Sequence, residues 1–157
     1  MNSYGIDTIK QLLPHRDPFL FVDAILESDG EKFIVGQKKL SPDEFYFKGH
    51  FPGNPVMPGV IQVETMAQVA GLLTIEFANK KGLTITPFLT TINNAKFRRV
   101  IRPGDTLRIE AKLLRIHGLS GKFHGKILVN GKVASEAELS CIFVPNDKLD
   151  KAQGKHS

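Results

Sequence analysis

From residue 59 to about residue 79, apolar side chains fall on almost every face of a helical projection: Val60, Ile61, Val63, Met66, Ala67, Val69, Ala70, Leu72, Leu73, Ile75 and Phe77. A helix apolar nearly all round must be enclosed by other structure rather than lie on a surface. Lys80, Lys81 and Gly82 then supply a basic last turn and a glycine stop. Beyond it the pattern changes to strand-like runs at 85–100, 106–117, 121–129 and 132–144, broken by Pro103-Gly104-Asp105, by residues 118–120 and by Asn130-Gly131. The last of these is a type I′ hairpin signal. Ahead of the helix, residues 7–13 predict a short helix with Asp7 as N-cap and Pro14 as its end. Strands are predicted at 19–26 and 32–40 around an Asp29-Gly30 turn, followed by a long loop, 41–58, dense in Pro, Gly and Phe. One enclosed helix and an antiparallel meander make an α+β domain, a sheet wrapped around a central helix, spanning residues 1–145. Residues 146–157 are polar, Lys-rich and aperiodic, and read as a disordered tail.

The chain of 157 residues suits one domain, and 41% hydrophobic with 24% charged residues is a globular composition. Cys141 is the single cysteine, so neither an intrachain disulfide nor a cysteine-based zinc cluster is available, and a reducing compartment fits. No stretch of about 18 residues lacks Asp, Glu, Lys and Arg, which argues against membrane insertion. The first residues lack the basic start and apolar centre of a signal peptide, so the cytoplasm is the expected location. The formal charge of +5 favours acidic partners. Nucleic acid is a poor one, because the basic residues are not interleaved with exposed aromatics and no recognition motif is present.

Candidate chemistry concentrates at 49–60, Gly-His-Phe-Pro-Gly-Asn-Pro-Val-Met-Pro-Gly-Val, where three prolines and three glycines restrain the backbone around His50. A rigidly held histidine is either a catalytic base or a structural side chain bonded to a carbonyl. Glu64 lies about one and a half turns into the enclosed helix, among residues that cannot solvate a carboxylate. Its pKa is then raised, making it a general acid, unless it is met by a donor such as Gln68 or reaches solvent at a gap in the sheet. Free N–H groups at the helix start, at Gly59 and Val60, can polarise a carbonyl oxygen. Base, acid and oxyanion donor together suit proton abstraction beside a carbonyl with loss of a β-hydroxyl, and the apolar surroundings suit an acyl chain.

The sequence resembles the (3R)-3-hydroxyacyl-acyl carrier protein dehydratases of type II fatty acid synthesis, FabZ type, with the hot-dog fold. The resemblance runs from about residue 7 to 144. It is carried by Leu13-Pro14-His15-Arg16, Pro18-Phe19-Leu20, Gly49 to Gly59, Glu64, Ala67-Gln68, Lys96-Phe97 and Pro103-Gly104-Asp105. It implies His50 as the catalytic histidine and Glu64 as its acidic partner from the other subunit of a homodimer, with a trimer of dimers as the larger assembly that family likeness allows. It further implies the Gly59 amide as holder of the thioester carbonyl, Gln68 in support, an acyl tunnel by Phe51, Met57 and Phe88, and neither cofactor nor metal. Asp17, Phe88 and Asn93-Asn94 depart from the family's usual residues.

Lys96, Arg98, Arg99 and Arg102 are candidates to receive an acyl carrier protein and its phosphopantetheine phosphate, or form an ordinary solvated strand end. Strand alternation sends Arg98 and Arg99 to opposite faces. His15, His117 and His124 lack metal-like spacing and read as structural. Three rivals remain: a thioesterase on the same fold with Glu64 activating water, a paralogous dehydratase of another acyl or polyketide pathway, and a non-catalytic acyl-binding subunit.

Overall fold

A computed structural model describes residues 1–149. In chain order the elements are β1 (Asn2–Tyr4), α1 (Ile6–Leu12), β2 (Ala24–Ser28), β3 (Phe33–Lys39), α2 (Gly59–Lys80), β4 (Ile85–Phe97), β5 (Thr106–His117), β6 (Ser120–Val129) and β7 (Lys132–Pro145). The strands form one seven-stranded sheet in the order β1-β2-β3-β5-β6-β7-β4, with every neighbouring pair antiparallel. The concave face wraps α2, which packs against β3, β4, β5, β6 and β7.

Alternation explains how. Along β6 and β7 every second side chain is buried, with Phe123, Ile127, Ala137, Leu139 and Cys141 turned inward, the pattern of a sheet with one face on the core. Where helix and sheet approach most closely the sheet carries glycine. A Cβ on Gly36 would stand 2.8 Å from Val69, and one on Gly125 would stand 3.0 Å from Met66. The hairpin at Asn130-Gly131 has both residues at positive φ, 52° and 76°, as a type I′ turn requires.

The expected architecture is present, with local differences. The first predicted strand starts at Ala24 rather than Phe19, because the Phe19 carbonyl accepts from, and the Phe21 N–H donates to, the Gln68 side-chain amide instead of a neighbouring strand. The α1 helix is capped by Gly5, and Asp7 sits inside its first turn, where its charge faces the positive helix end. The short strand β1 was not anticipated. It is tied to α2 by Asn2 Nδ2 and Tyr4 Oη, which donate to Glu76 at 3.0 and 2.7 Å. Residues 146–149 are helical, so the tail reading fails for them; the rest of the tail lies outside the described residues.

Gly36→Val forces the helix off the sheet. Overpacking of this kind costs about 1–3 kcal/mol, and the urea midpoint of the variant is expected to drop accordingly. An unchanged midpoint would show that the close approach is not needed.

Candidate functional site

The loop 41–58 contains turns and no helix or strand, yet it is tied down at several points. The Val56 N–H donates to the His50 carbonyl, and His50 Nδ1 lies 2.8 Å from the Val56 carbonyl oxygen. A carbonyl only accepts, so Nδ1 carries the imidazole proton and Nε2 keeps its lone pair. The carbonyl bond thus gives His50 its structural anchor and is compatible with the basic reading, since it selects the tautomer in which Nε2 is the proton acceptor. Met57 N–H bonds to the Ile101 carbonyl, Gln62 Nε2 donates to the Met57 carbonyl at 3.1 Å, and Arg102 Nη1 donates to Asn54 Oδ1 at 2.8 Å. The His50 and Phe51 rings stack, with centroids 4.0 Å apart.

His50, Val56, Met57, Gly59, Gln62 and Phe97 line a cavity of about 330 Å³, with Arg98, Arg99 and Val100 at its side. The helix start within it is open. Pro58 is the N-cap, no side chain caps the turn, and among the described residues the Gly59 and Val60 N–H groups have no acceptor. The Phe97 ring lies against Gly59, 2.9 Å from where a Cβ would stand, so any larger residue there would have to push the ring aside.

Glu64 lines a different cavity, of about 40 Å³, with Leu13, His15, Ala67, Gln68, Pro87, Leu89 and Cys141. Burial pushes its carboxyl above the usual value, and a hydrogen bond from Gln68 offsets this in part. The Gln68 amide has two N–H groups; one holds the Phe19 carbonyl at 2.9 Å, and its oxygen takes the Phe21 N–H at 2.8 Å. Cys141 is pushed up to about 11 by burial and by the Glu64 charge, which keeps the thiol neutral.

Within one chain the structure does not bring His50 and Glu64 together, since their cavities share no lining residue. Met57 lies in the wall of the His50 cavity and is fully buried, and Phe51 stacks on His50 with half its surface exposed. Phe88 stands apart from both cavities, on β4 opposite Ile142, while its neighbours Pro87 and Leu89 reach the Glu64 cavity. Arg98 and Arg99 follow the last residue of β4, so strand alternation does not apply to them and both border the His50 cavity. Arg98 pairs with Glu136 at 3.1 Å and Arg102 holds the loop, whereas Lys96 and Arg99 have no ion-pair partner among the described residues. Among the described residues no cluster of His, Cys, Asp and Glu could hold a metal ion. Sequence reasoning missed the tethering role of Arg102 and the position of His15 beside Glu64. The second had a signal, the Leu13-Pro14-His15-Arg16 motif.

The match to known proteins follows this geometry. The model of the FabA-like domain matches residues 13–138. The 3-hydroxyacyl-acyl-carrier-protein dehydratase FabZ of Pelotomaculum thermopropionicum is 47% identical over 85% of this chain and 94% of its own length. That of Caldicellulosiruptor saccharolyticus is 46% identical over 87% and 96%, and that of Coxiella burnetii 41% identical over 90% and 99%. Among solved structures, the dehydratase heterocomplex ApeI:P of Xenorhabdus doucetiae superposes with a TM-score of 0.75 at 21% identity, covering 92% of this chain and 95% of that one. The E. coli PaaI protein gives 0.58 at 17% identity, covering 75% and 80%. These likenesses define the hot-dog fold. The chain belongs to the FabA-like domain family, and its curated relatives are dehydratases.

The raised Glu64 carboxyl has a stability consequence. The folded state holds this proton more tightly than the unfolded chain does, so stability is full below the ordinary value of 4.5 and falls as pH rises through the raised folded value. Across that window the melting temperature of the wild type is expected to decline relative to Glu64→Gln. Parallel curves would mean that the carboxyl is solvated.

Proposed function

We propose that this protein converts (3R)-3-hydroxyacyl thioesters of acyl carrier protein to trans-2-enoyl thioesters in fatty acid synthesis, without cofactor or metal. The observation that carries the reading is the pairing of a histidine whose Nε2 is free with an uncapped helix start in one cavity, in a chain 41–47% identical to FabZ dehydratases. His50 Nε2 removes the α-proton while the Gly59 N–H holds the thioester oxygen as it gains negative charge. The electron pair then forms the double bond and expels the β-hydroxyl, which leaves as water with the proton of Glu64. The proton on His50 and the vacancy on Glu64 are balanced by exchange with solvent before the next turnover.

The chemistry needs His50 and Glu64 on one substrate, which a second copy supplies. β4 is thirteen residues long, lies at the sheet edge and is exposed over most of its length, with Leu89, Ile92 and Phe97 outward. Such an edge is a template for another strand. Its early residues Pro87 and Leu89 line the Glu64 cavity, and its last, Phe97, lines that of His50. Antiparallel two-fold pairing of β4 with its copy sets the start of one strand beside the end of the other. Each Glu64 is thereby carried toward the partner's His50, and the acyl chain passes between the subunits near Phe51 and Met57. The free cations, Lys96 and Arg99, are the better candidates for the acidic carrier protein and its phosphate; Arg98 and Arg102 are engaged elsewhere. Among the described residues the one helix long and apolar enough to cross a membrane is α2, and it is largely enclosed by the sheet.

Incubation with 3-hydroxyacyl and saturated acyl thioesters is expected to produce conjugated enoyl absorbance from the first and no free thiol from the second. Thiol release without enoyl product would replace the dehydratase by a thioesterase. His50→Ala and Glu64→Gln are each expected to lower kcat by about 10²–10⁴-fold in a folded dimer. Mixing the two variants under verified subunit exchange should restore part of the activity, because one site of each mixed dimer carries neither change. No recovery would place both residues in one chain. Arg102→Ala should cut kcat several-fold with little change in the unfolding midpoint, since it frees the loop without opening the core.

A further inference from the structure

The loop that carries His50 closes on itself before it meets the helix. The Val56 N–H donates to the His50 carbonyl and His50 Nδ1–H donates to the Val56 carbonyl, each at 2.8 Å, while the backbones of Phe51 and Asn54 exchange two bonds at 2.9 Å. Residues 50–56 therefore make a small closed unit whose shape is set from within. Met57 and Pro58 alone separate it from Gly59, the first residue of α2. The proposed dehydration needs the His50 imidazole and the Gly59 N–H on one substrate, so the relation between loop and helix has to be held across those two residues.

Gln62 spans that gap. It lies at the start of α2 and borders the His50 cavity, with only 4% of its surface exposed. Its backbone N–H donates to the Pro58 carbonyl and its Nε2 to the Met57 carbonyl, both at 3.1 Å, so one helical residue holds two successive carbonyls of the connection. Proline explains why a donor is needed. An acceptor side chain in a first turn commonly reaches back to the N-cap N–H, and Pro58 has none. The connection presents a carbonyl instead, and an uncharged amide supplies the N–H. The other bonds on this stretch, from the Met57 N–H to Ile101 and from Arg102 to Asn54 and Pro55, tie it to the segment after β4 rather than to α2.

The amide is costly where it stands. Its Oε1 is buried with no hydrogen-bond partner among the described residues, and a buried carbonyl oxygen left unpaired lowers stability. An apolar side chain of the same length would leave no such oxygen, so stability alone does not account for glutamine here. We infer that Gln62 is a positioning residue for the reaction: its Nε2–H bond to Met57 fixes the closed loop 50–56 against the helix start, and with it the distance between the His50 ring and the Gly59 N–H. Gln62 acts through that loop and takes no part in proton transfer.

The inference rests on the dehydratase reading, and the two fail separately. A wild type that forms no enoyl product sinks the parent reading; an active wild type leaves the Gln62 variants to decide this one. Gln62→Met keeps the length without the donor, and Gln62→Leu removes the donor with a different shape, so agreement between them separates a lost hydrogen bond from a packing fault. A misplacement of about 1 Å between reacting groups costs about 10²-fold in rate. Both variants are expected to lower kcat about tenfold or more, with KM held within about threefold. For Gln62→Met the melting temperature is expected to stay within about 3 °C of the wild type, because the bond lost at Met57 is offset by the unpaired oxygen removed with the amide. NMR of the imidazole nitrogens supplies a readout that a loosened loop would move: the Nδ1–H form of His50 is expected to persist in Gln62→Met, since residues 50–56 are closed by their own bonds. A kcat within about threefold of the wild type, a loss confined to KM, a clear fall in melting temperature or a mixture of His50 tautomers would each overturn the role.

Discussion

The contact of α2 with the inner face of the sheet, closest where Val69 meets Gly36 and Met66 meets Gly125, sets the position of the candidate site residues carried on or beside α2. A helix this apolar has no stable place except under the sheet, and the glycines let it lie close enough to be sealed there. Once its axis is fixed, its first turn emerges under the 41–58 loop and Glu64 faces the wall formed by Leu13, Pro87 and Leu89. The burial that stabilises the helix also raises the Glu64 pKa. One interaction therefore stabilises the fold and raises the Glu64 pKa, as the acid role proposed for it requires.

The site breaks several rules that the rest of the molecule keeps. The helix begins without a side-chain cap, a carboxyl is half enclosed among apolar residues, and a nitrogen of His15 has no partner among the described residues. Each of these costs stability when taken alone. They gather around two small cavities while the sheet's outer face is laced with ordinary ion pairs such as Lys122–Glu138 and Arg108–Glu110. Local disagreement with stability, confined to one region of an otherwise consistent fold, is what a functional site looks like from physics.

Much of this was readable from the residues because the strongest signals are local. The all-round apolar helix, the Asn130-Gly131 hairpin, the Pro- and Gly-restrained histidine and the stranded Glu64 each follow from spacing and side-chain chemistry. What was not readable depends on contacts distant in sequence. Phe19 to Phe21 looks like part of a strand until Gln68 takes its hydrogen bonds. β1 has no pattern of its own and exists because Glu76 accepts from Asn2 and Tyr4 across more than seventy residues. Arg102 reads as a free cation until Asn54 is seen beside it, and His15 as a bland histidine until the Glu64 cavity is seen around it.

A long, apolar, exposed edge invites unlimited strand addition, and in the proposed dimer the sheet carries features that would stop it at two. Its other edge, β1, has three residues and is held by side chains to the helix beneath, so it offers little template. The β4 edge bulges at Leu89/Thr91 and again at Asn93/Lys96, with Asn94 at a positive φ of 52°. Bulges twist an edge and reduce the registers in which a second strand can lie. In an isologous pairing each β4 consumes the other, leaving no free edge to continue. In the proposed pairing, the same restriction of register that would limit assembly to a pair also fixes which end of one strand meets which end of the other. In the proposed dimer, the device that prevents aggregation and the device that aligns base with acid are therefore the same irregular strand.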